Sequence, residues 1–486
     1  MKKVLSIFIL LVLVISSCVL LVGCSSNKAE ATLFTGNYVQ EVSNKGNSNI
    51  YTIKLVGKQR VDTMILEEKT DNVRNFGIYG KEDDGTYKLI YRQNRIDKYR
   101  VCAMEAIETD ELRIEIFDKY QKGSVKISNI EVYNSANCLR EQPFRVTEYL
   151  LTTNRKLYNN KNESAFYNHL KGVNDVVIFG DISIDQDASI KYNEGNEDFE
   201  EDLSIIKLWK EDEKKLNNPN LNVVVNVDLR SYIIPEDTPA KKQNSTVQKW
   251  MKKNYKTVAT NIVNFVNNYS NDIAGINLDW QYPANGTQWS YLSKMIIEIK
   301  NSLPEGKYIT IDLKPDNCNL TKKARNAIEY VNLMTYDMFD ERGEHASNFE
   351  TCKHSIETFI KKSKFTADKI MLGISLYGRT TNGSSQVYNL YEKFNYRTDE
   401  KQYNLQIDKW VNKIYNYAYT DETGSTIYSD VFLNGYAMIR DKVTYAIASG
   451  LGGASVFRMA YDVSANWAFC LNNAVKEAVK RGVKQV

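Results

Sequence analysis

The residues best suited to chemistry lie in one short stretch, AGINLDWQYP, at residues 274–283. Its apolar and polar residues alternate as in a β-strand, so the side chains of Asn277, Asp279 and Gln281 should leave the same face. A carboxylate beside two carboxamides can bind and orient a polar ligand. A carboxamide does not donate and recover a proton as a carboxylic acid does, so the pattern favours recognition over acid catalysis.

The stretch resembles the active-site signature of glycoside hydrolase family 18, the chitinases and their relatives, which reads Asp-Gly-x-Asp/Asn-x-Asp-x-Glu. The resemblance implies that Asp279 orients the N-acetyl group of the substrate and that Asn277 is an allowed variant of the residue behind it. It also implies that Gln281 stands where the family has the Glu that protonates the departing sugar oxygen. The family uses the substrate's own acetamide as the nucleophile. Loss of the acid should lower the rate by roughly 10²–10⁴-fold.

Two later segments resemble the sixth and seventh strand motifs of the same family. VNLMTYDM implies a catalytic tyrosine that hydrogen-bonds the N-acetyl group, with two neighbours in the same subsite, and LGISLYGR implies a further tyrosine and an arginine. The residues that match are Tyr336, Met334, Asp337, Tyr377 and Arg379. Such residues are common at strand ends of barrels, but several motifs in family order favour one shared site.

A fourth segment, GLGGASVFRMAYD, resembles the eighth strand motif, with Phe457 where the family has a tryptophan beneath the sugar. A phenyl ring can still stack on a pyranose, with less area. We expect Trp280 and Tyr336 to complete this sugar floor, and Tyr282 to contact the substrate next to Gln281.

Two other positions depart from the family pattern. Ala274 stands where the signature opens with Asp, and NVDLR, at residues 226–230, stands where the third strand usually reads Ser-x-Gly-Gly. The missing glycines would alter the close backbone packing that such residues allow. Together with Gln281, these departures count against full activity.

The elements that must position these residues are strands alternating with amphipathic helices from residue 144 onward, a pattern typical of a parallel sheet built from βα units. The motifs fall at the C-terminal ends of strands, where the active sites of (β/α)₈ TIM barrels lie. We therefore predict a TIM barrel over residues 144–486, with a small insertion at 381–440 between its seventh and eighth strands. The predicted strands are 145–153, 175–184, 221–229, 273–280, 308–315, 331–337, 369–378 and 453–461.

The helix before the fourth barrel strand shows the helical period most clearly. Ser245 and Thr246 are predicted to cap its N-terminus. The apolar residues of its buried face are predicted to be Val247, Trp250, Met251, Tyr255, Val258, Ile262 and Phe265.

Residues 34–140 consist of short strand patterns divided by turns, which predicts an N-terminal β-sandwich. The order of these strands resembles the galactose-binding-like or discoidin family, the coagulation factor 5/8 type C domains. Sugar contacts in that family lie in variable loops, so the resemblance assigns no binding residue. The alternative is a domain that only spaces the barrel from the membrane. The clearest predicted strands are 61–68, 76–80, 87–91, 111–117 and 127–133.

The N-terminus has Lys2 and Lys3 followed by an apolar run that ends in LVGCSS. This pattern predicts a lipoprotein signal peptide at residues 1–23, lipidation of Cys24 and a polar tether at 24–33. The alternative is a plain transmembrane anchor, since the run is almost long enough to span a bilayer. We expect an extracytoplasmic protein attached to the bacterial cell membrane through its lipid.

The composition excludes several classes of partner and site. The formal net charge of +3, partly due to the signal, does not suggest a nucleic-acid partner. The five cysteines of the body show no CxxC spacing, and the three histidines of the chain are dispersed. Neither a disulfide scaffold nor a metal site is supported, and no cofactor is expected.

Three functions are consistent with the sequence. The first is a surface lipoprotein whose barrel binds N-acetylglucosamine-containing glycans with little or no hydrolysis. The second is an active glycosidase in which Asp337 or water replaces the missing acid. The third is an adhesion or scaffold protein that acts through the front domain.

Overall fold

A computed structural model describes most of the two predicted domains. Cys24 and the rest of residues 1–32 lie outside the described residues, as does most of the insertion at 381–440. Within the described part, no helix is both long and apolar enough to cross a membrane. The described residues are 33–44, 48–151, 167–193, 195–235, 237–339, 347–380, 387–388, 413–420, 424–463, 465 and 470–484.

The described part of the chain contains strands β1 to β19 and helices α1 to α7. The strands are Val39–Ser43, Ile50–Glu68, Val73–Lys81, Tyr87–Gln93, Arg100–Lys119, Ile127–Tyr133, Arg145–Leu151, Asp175–Ile184, Ile190–Tyr192, Asn222–Asp228, Gly275–Asp279, Tyr308–Leu313, Tyr330–Leu333, Ile370–Ser375, Gly378–Thr380, Val387–Tyr388, Lys413–Thr420, Thr426–Phe432 and Gly453–Phe457. The helices are Asn196–Glu211, Ala240–Asn268, Gly286–Ser302, Lys322–Ala327, Phe349–Ser363, Tyr436–Ala448 and Leu471–Gly482.

The N-terminal domain is a six-stranded antiparallel sheet in the order β1-β2-β5-β3-β4, with β6 also paired to β2. All five predicted strands are present, but β2 and β5 are 19 and 20 residues long and extend well beyond the predicted segments. Each is long enough to pair with different neighbours along its two halves. The likeness of this sheet to galactose-binding-like domains stays a prediction.

The second domain is a closed parallel barrel, as predicted. Its eight strands follow the order β10-β11-β12-β13-β14-β19-β7-β8, and pairing of β10 with β8 closes the ring. All eight predicted barrel strands are present, because each is a continuous buried run of the kind that a parallel sheet requires. A further sheet, β16-β15-β18-β17, lies in the chain between β14 and β19, partly within the predicted insertion.

Helix α2 confirms the predicted amphipathic face and corrects its predicted start. Val247, Met251, Val258, Ile262 and Phe265 are buried on it. Trp250 and Tyr255 are partly buried against the same core. The helix begins at Ala240 with Pro239 at its N-cap, so Ser245 and Thr246 lie inside it rather than capping it. The apolar period starts later than the helix because the first turns are solvent-exposed.

The front sheet has a hydrophobic cluster of its own and also contributes residues to the core of the barrel. Ile65, Val101 and Tyr133 of the sheet belong to the same buried cluster as the barrel helices. At this junction the carboxylate of Asp441, on α6, accepts from Arg100 Nη2 at 2.9 Å, and both residues are 0% exposed. The sheet is therefore packed onto the barrel and is not a loosely tethered module.

Candidate functional site

Strand β11 carries the polar residues of the first motif into the barrel, and all five of its residues are buried. Parallel register aligns Asp279 with Asp228 on β10 and with Asp312 on β12. Gly275 opens the strand in close contact with β12, where a Cβ would lie 2.3 Å from a backbone oxygen. Three carboxyl groups therefore meet at the C-terminal ends of three adjacent strands.

Gln281 follows the end of β11, yet its side chain turns back to Asp279. Gln281 Nε2 donates to Asp279 Oδ2 at 3.0 Å, while Asp279 Oδ1, which is buried, accepts no hydrogen bond from the described residues. Burial, and then the nearby charge of Asp312, raises the pKa of Asp279 well above its usual value, and the Gln281 contact opposes that shift. Burial thus favours the neutral form of Asp279, and its Oδ1 is left without a partner among the described residues.

Asp312 is the centre of a buried network that sequence reasoning missed. Its Oδ1 accepts from Tyr149 Oη at 2.5 Å, from Asn277 Nδ2 at 2.9 Å and from Asn332 Nδ2 at 3.0 Å. Burial raises the pKa of Asp312 to about 6, against the effect of these donors. Asn277 in turn accepts from Asn226 at 2.6 Å. The signal that could have found this network is a polar residue at an inward position of each strand.

Aromatic rings form a continuous surface beside these carboxyls. Tyr336 and Phe457 stack with centroids 6.0 Å apart and planes inclined by 24°. Phe457 also contacts Tyr149 and Phe179, at 5.5 and 5.4 Å between centroids. Tyr377 meets Tyr336 edge to face at 6.2 Å. The matched residues of the sixth, seventh and eighth motifs are therefore brought together, and Phe457 occupies the centre of the group.

Asp337 is held by the two residues predicted from the seventh motif. Arg379 binds it in a bidentate manner, with Nε to Oδ1 and Nη2 to Oδ2 both at 2.8 Å. Tyr377 Oη also donates to Oδ1, at 2.7 Å. A fork of this kind fixes the carboxylate as an acceptor. Both oxygens of Asp337 are therefore engaged as acceptors by the protein itself.

The remaining predicted residues differ in where they lie. Tyr282 is half-buried beside the site, and its Oη donates to Gln281 Oε1 at 3.3 Å. Burial, followed by the charge of Asp279, raises the pKa of Tyr282 to about 12. Met334 is buried at the end of β13. Trp280 is only 2% exposed and belongs to the hydrophobic core, so the structure does not bring it to the sugar floor. Strand alternation explains this, since Trp280 points away from the face of Asp279.

A cavity of about 600 Å³ opens next to Asp279 and Gln281. Phe179 is part of its lining, so the cavity continues from the aromatic surface. A space of this size can hold a small ligand or part of a longer one. Its lining residues are Phe179, Asp228, Arg230, Ser231, Ile234, Pro235, Gln243, Asp279 and Gln281.

One group of described residues has ligand types that could hold a metal, and it lies away from this cavity. The candidate ligand atoms of His169, Asp462 and Cys470 lie within 4.8 Å of one another. Asp462 already accepts from the backbone N–H of Leu471 and Asn472, at 3.1 and 2.8 Å, at the start of α7. This arrangement satisfies the N–H groups that a helix start leaves unpaired, which accounts for the cluster without a metal.

Comparison with known families agrees with this architecture. Residues 152–462, well over half of the chain, match the glycosyl hydrolases family 18. The chain belongs to this family. The match begins directly after the first barrel strand, which ends at Leu151, and ends after the eighth, so it includes the other seven barrel strands and Asp279.

Curated relatives of this family 18 chain include proteins named chitinase and endochitinase. Chitinase 1 of Aphanocladium album is 24% identical over 285 residues, 49% of this chain and 62% of that protein. Endochitinase 1 of Metarhizium robertsii is 23% identical over 235 residues, 39% of this chain and 52% of that protein. The chain thus spans less than two thirds of either relative.

The solved structures confirm the fold. A mutant family 18 chitinase from Cycas revoluta, in complex with (GlcNAc)4, has a TM-score of 0.50 and 13% identity, covering 69% of this chain and 99% of that one. In this family 18 barrel, the described side chains can hold a sugar on an aromatic surface, present a carboxyl oxygen to it and position that carboxyl through a carboxamide.

Proposed function

We propose that the barrel binds glycans that contain N-acetylglucosamine and hydrolyses them slowly or not at all. The observation that carries this proposal is the 3.0 Å contact from Gln281 Nε2 to Asp279 Oδ2. The amide N–H gives Asp279 the donor that a protonated acid would give, but it cannot be transferred to a leaving sugar oxygen. Recognition is thus preserved where proton transfer is lost.

The ligand class is supported by the site and by the relatives. Asp279 Oδ1 has no partner among the described residues, so it can hydrogen-bond an acetamide next to a stacked pair, Tyr336 and Phe457, on which a pyranose can lie. Two relatives bear the names chitinase and endochitinase, and the Cycas revoluta protein is bound to (GlcNAc)4. These features favour a neutral amide-bearing sugar at the barrel mouth.

The geometry does not favour hydrolysis through a substitute acid. Both oxygens of Asp337 are engaged by Arg379, and Tyr377 donates to one of them. The other nearby acid, Asp312, is 5% exposed and already accepts three hydrogen bonds on one oxygen. Neither is placed to reach a leaving group without breaking these contacts.

The test is a pair of measurements on the purified protein. Calorimetry with chitooligosaccharides should show binding to the wild type, while release of products from unactivated oligomers stays near background. Gln281→Glu should gain measurable hydrolysis, because it supplies the missing acid beside Asp279. The matched control is Gln281→Glu combined with Asp279→Asn, which should lose that gain.

Each outcome bears on the proposal. Rapid hydrolysis of the oligomers by the wild type would show that another group acts as the acid. The absence of binding heat with the wild type would show that the barrel does not bind these glycans. If Gln281→Glu binds the sugar but does not hydrolyse it, the missing acid is not the reason for the low activity. Ala274 and Phe457 are then the next positions to test.

We also propose that the protein is lipid-anchored outside the cytoplasmic membrane through Cys24. The support is the LVGC sequence, with the small Gly23 directly before Cys24. The wild type should incorporate labelled palmitate and partition into detergent, and Cys24→Ala should do neither. Label that persists in Cys24→Ala would exclude this anchor.

A further inference from the structure

The first described residues, Leu33 and Phe34, lie at the end of the barrel opposite to its mouth. They line a small cavity together with Ala448 and Gly482, the last residues of helices α6 and α7. Helix α6 leads directly into strand β19, which ends at Phe457 on the aromatic surface. Leu33 is therefore beside the N-terminal ends of the barrel strands, whereas the aromatic surface is at their C-terminal ends.

Contacts with both domains hold this first described segment in place. Phe34 stacks on Tyr133 of β6, with ring centroids 5.4 Å apart and planes inclined by 27°. Asn37 Oδ1 accepts from the backbone N–H of Val132, also on β6, at 2.9 Å. Leu33 and Phe34 also pack against the core of the barrel. The position of Leu33 is thus fixed relative to the barrel.

A polar network fills the N-terminal end of the barrel. Asp175 Oδ1 accepts from Arg145 Nη1 at 2.8 Å, from Tyr308 Oη at 2.8 Å and from Asn222 Nδ2 at 3.0 Å. The Arg145 guanidinium also lies over the ring of Tyr330, 5.0 Å from its centroid. Each of these five residues is the first residue of its strand. Since their side chains occupy this end, a glycan reaches the barrel from the mouth.

The length of the tether limits how the barrel can be oriented at a membrane. Leu33 is nine positions after Cys24, the proposed site of lipid attachment. Nine residues span at most about 30 Å, and about 17 Å on average if the linker is flexible. Helix α3 begins at the mouth end with Gly286, and its 17 residues make it about 25 Å long. Turning the mouth to the bilayer would therefore require a tether almost fully extended along the side of the barrel.

We propose that the barrel is held with the N-terminal ends of its strands toward the membrane and with its mouth away from it. This inference rests on the proposed function, because it assumes the lipid anchor at Cys24. The partner of the mouth is then a polysaccharide that approaches from the side away from the bilayer. A saccharide joined to a lipid of the same bilayer stays out of reach.

Energy transfer to a labelled lipid measures this orientation on the mature lipidated chain. The protein is reconstituted in vesicles of phosphatidylglycerol and phosphatidylethanolamine that contain an acceptor-labelled lipid. A fluorescent amino acid is placed at Thr287 or at Glu305, two exposed positions near opposite ends of helix α3. Because about 25 Å of helix separates the two positions, transfer should be at least about twofold stronger from Glu305. Equal transfer from both positions, or stronger transfer from Thr287, would overturn the inference.

A longer tether is the matched control. Insertion of roughly 27 glycine and serine residues after Lys28 would double the average span of the tether and leave the folded body unchanged. The difference in transfer between Glu305 and Thr287 should then fall toward zero, because the barrel is free to turn over. A difference that keeps its full size would show that the tether does not set the orientation, and the inference would fail.

Cys24→Ala distinguishes failure of the anchor from failure of the orientation. This variant should not associate with the vesicles. If it does associate, the proposed anchor and the inference both fail. If vesicle association depends on Cys24 but transfer from Thr287 and Glu305 is equal, only the inference fails.

Beads that carry chitooligosaccharides provide a second measurement, which needs no labelled variant. They should capture vesicles bearing the wild type as efficiently as they capture the soluble Cys24→Ala protein. Capture of the soluble protein alone would show that the mouth is turned to the bilayer and would overturn the inference. Capture of neither would contradict the proposed glycan binding, and energy transfer would still decide the orientation.

Discussion

Acidic groups are buried both at the junction between the two domains and at the mouth of the barrel. The acidic group at the junction is paired with a cation, whereas those at the mouth are not. At the junction, Asp441 receives Arg100 at 2.9 Å, the backbone N–H of Ala103 at 2.7 Å and the hydroxyl of Tyr91. Burial raises the pKa of Asp441, while Arg100, Tyr91 and Ala103 counteract the rise. Every charge there has a partner from the protein itself.

At the barrel mouth, Asp279 and Asp312 are buried, and no described residue supplies either of them with a cation. Asp279 has a carboxamide on one oxygen and nothing among the described residues on the other, and Asp312 relies on neutral donors. Burying a carboxyl group without a cation lowers the stability of the protein, so such a group is not expected where its role is only structural. The difference indicates that the junction holds the molecule together, whereas Asp279 at the mouth retains an oxygen that no described residue satisfies.

The largest expected effect tests the junction. Asp441→Asn keeps the shape but leaves Arg100 buried without its anion, so the free energy of unfolding should fall by about 3–5 kcal/mol. Chemical denaturation would measure the loss, and glycan affinity of the folded fraction should not change. A loss below about 1 kcal/mol, the value typical of a surface ion pair, would remove the contrast between the two regions.

The next effect is the pH dependence of stability that Asp312 causes at the barrel mouth. The pKa of Asp312 is about 6 in the folded protein, above the usual 3.8. Below a pH of about 4 this carboxyl is protonated in both the folded and the unfolded state, so it does not affect stability. As the pH rises from about 4 to about 6, the carboxyl ionises in the unfolded state but not in the folded state, so the folded state loses stability. Asp312→Asn keeps an oxygen that accepts the same donors. Relative to the wild type, its unfolding free energy should gain about 3 kcal/mol between pH 4 and 7. A difference between the two proteins that is constant over this range would show that Asp312 is adequately stabilised as an anion.

A third effect concerns binding instead of stability. Tyr336→Ala removes half of the stacked pair with Phe457 and a polar group at the site, so chitooligosaccharide affinity should fall by about 1–3 kcal/mol. Tyr79→Ala, on the front sheet, is the control and should leave affinity unchanged. Calorimetry that finds equal affinity for Tyr336→Ala and the wild type would place the glycan elsewhere.

The smallest expected effect concerns an ion pair on the surface of the front sheet. Glu41 and Lys54 form an ion pair at 3.1 Å, but their side chains are 57% and 55% exposed. Glu41→Gln should change the unfolding free energy by less than about 0.5 kcal/mol, because solvent screens the pair. A larger loss would mean that burial is not what distinguishes the Arg100 and Asp441 pair.

The sequence by itself determined most of the barrel and part of the site. The eight barrel strands are local apolar runs, and helix α2 has a local amphipathic period, so both are readable from neighbouring residues. The motifs around Asp279, Tyr336 and Phe457 were recognised from residue spacing within single strands. Alternation likewise shows that Trp280 points away from Asp279, although the motif alone suggested that it faces the sugar.

Only the tertiary structure decided which distant residues share a buried environment. Arg100 meets Asp441 across 341 positions of sequence, and Tyr149 meets Asp312 across 163. The cavity position of Arg230 likewise depends on the contact of its side chain with the backbone of Gln281, 51 positions later. Local patterns specify which face of a strand is buried. The partner of a buried charge, and with it the pKa and the open donors of a site, depends on which elements close the barrel and on the water that this closure excludes.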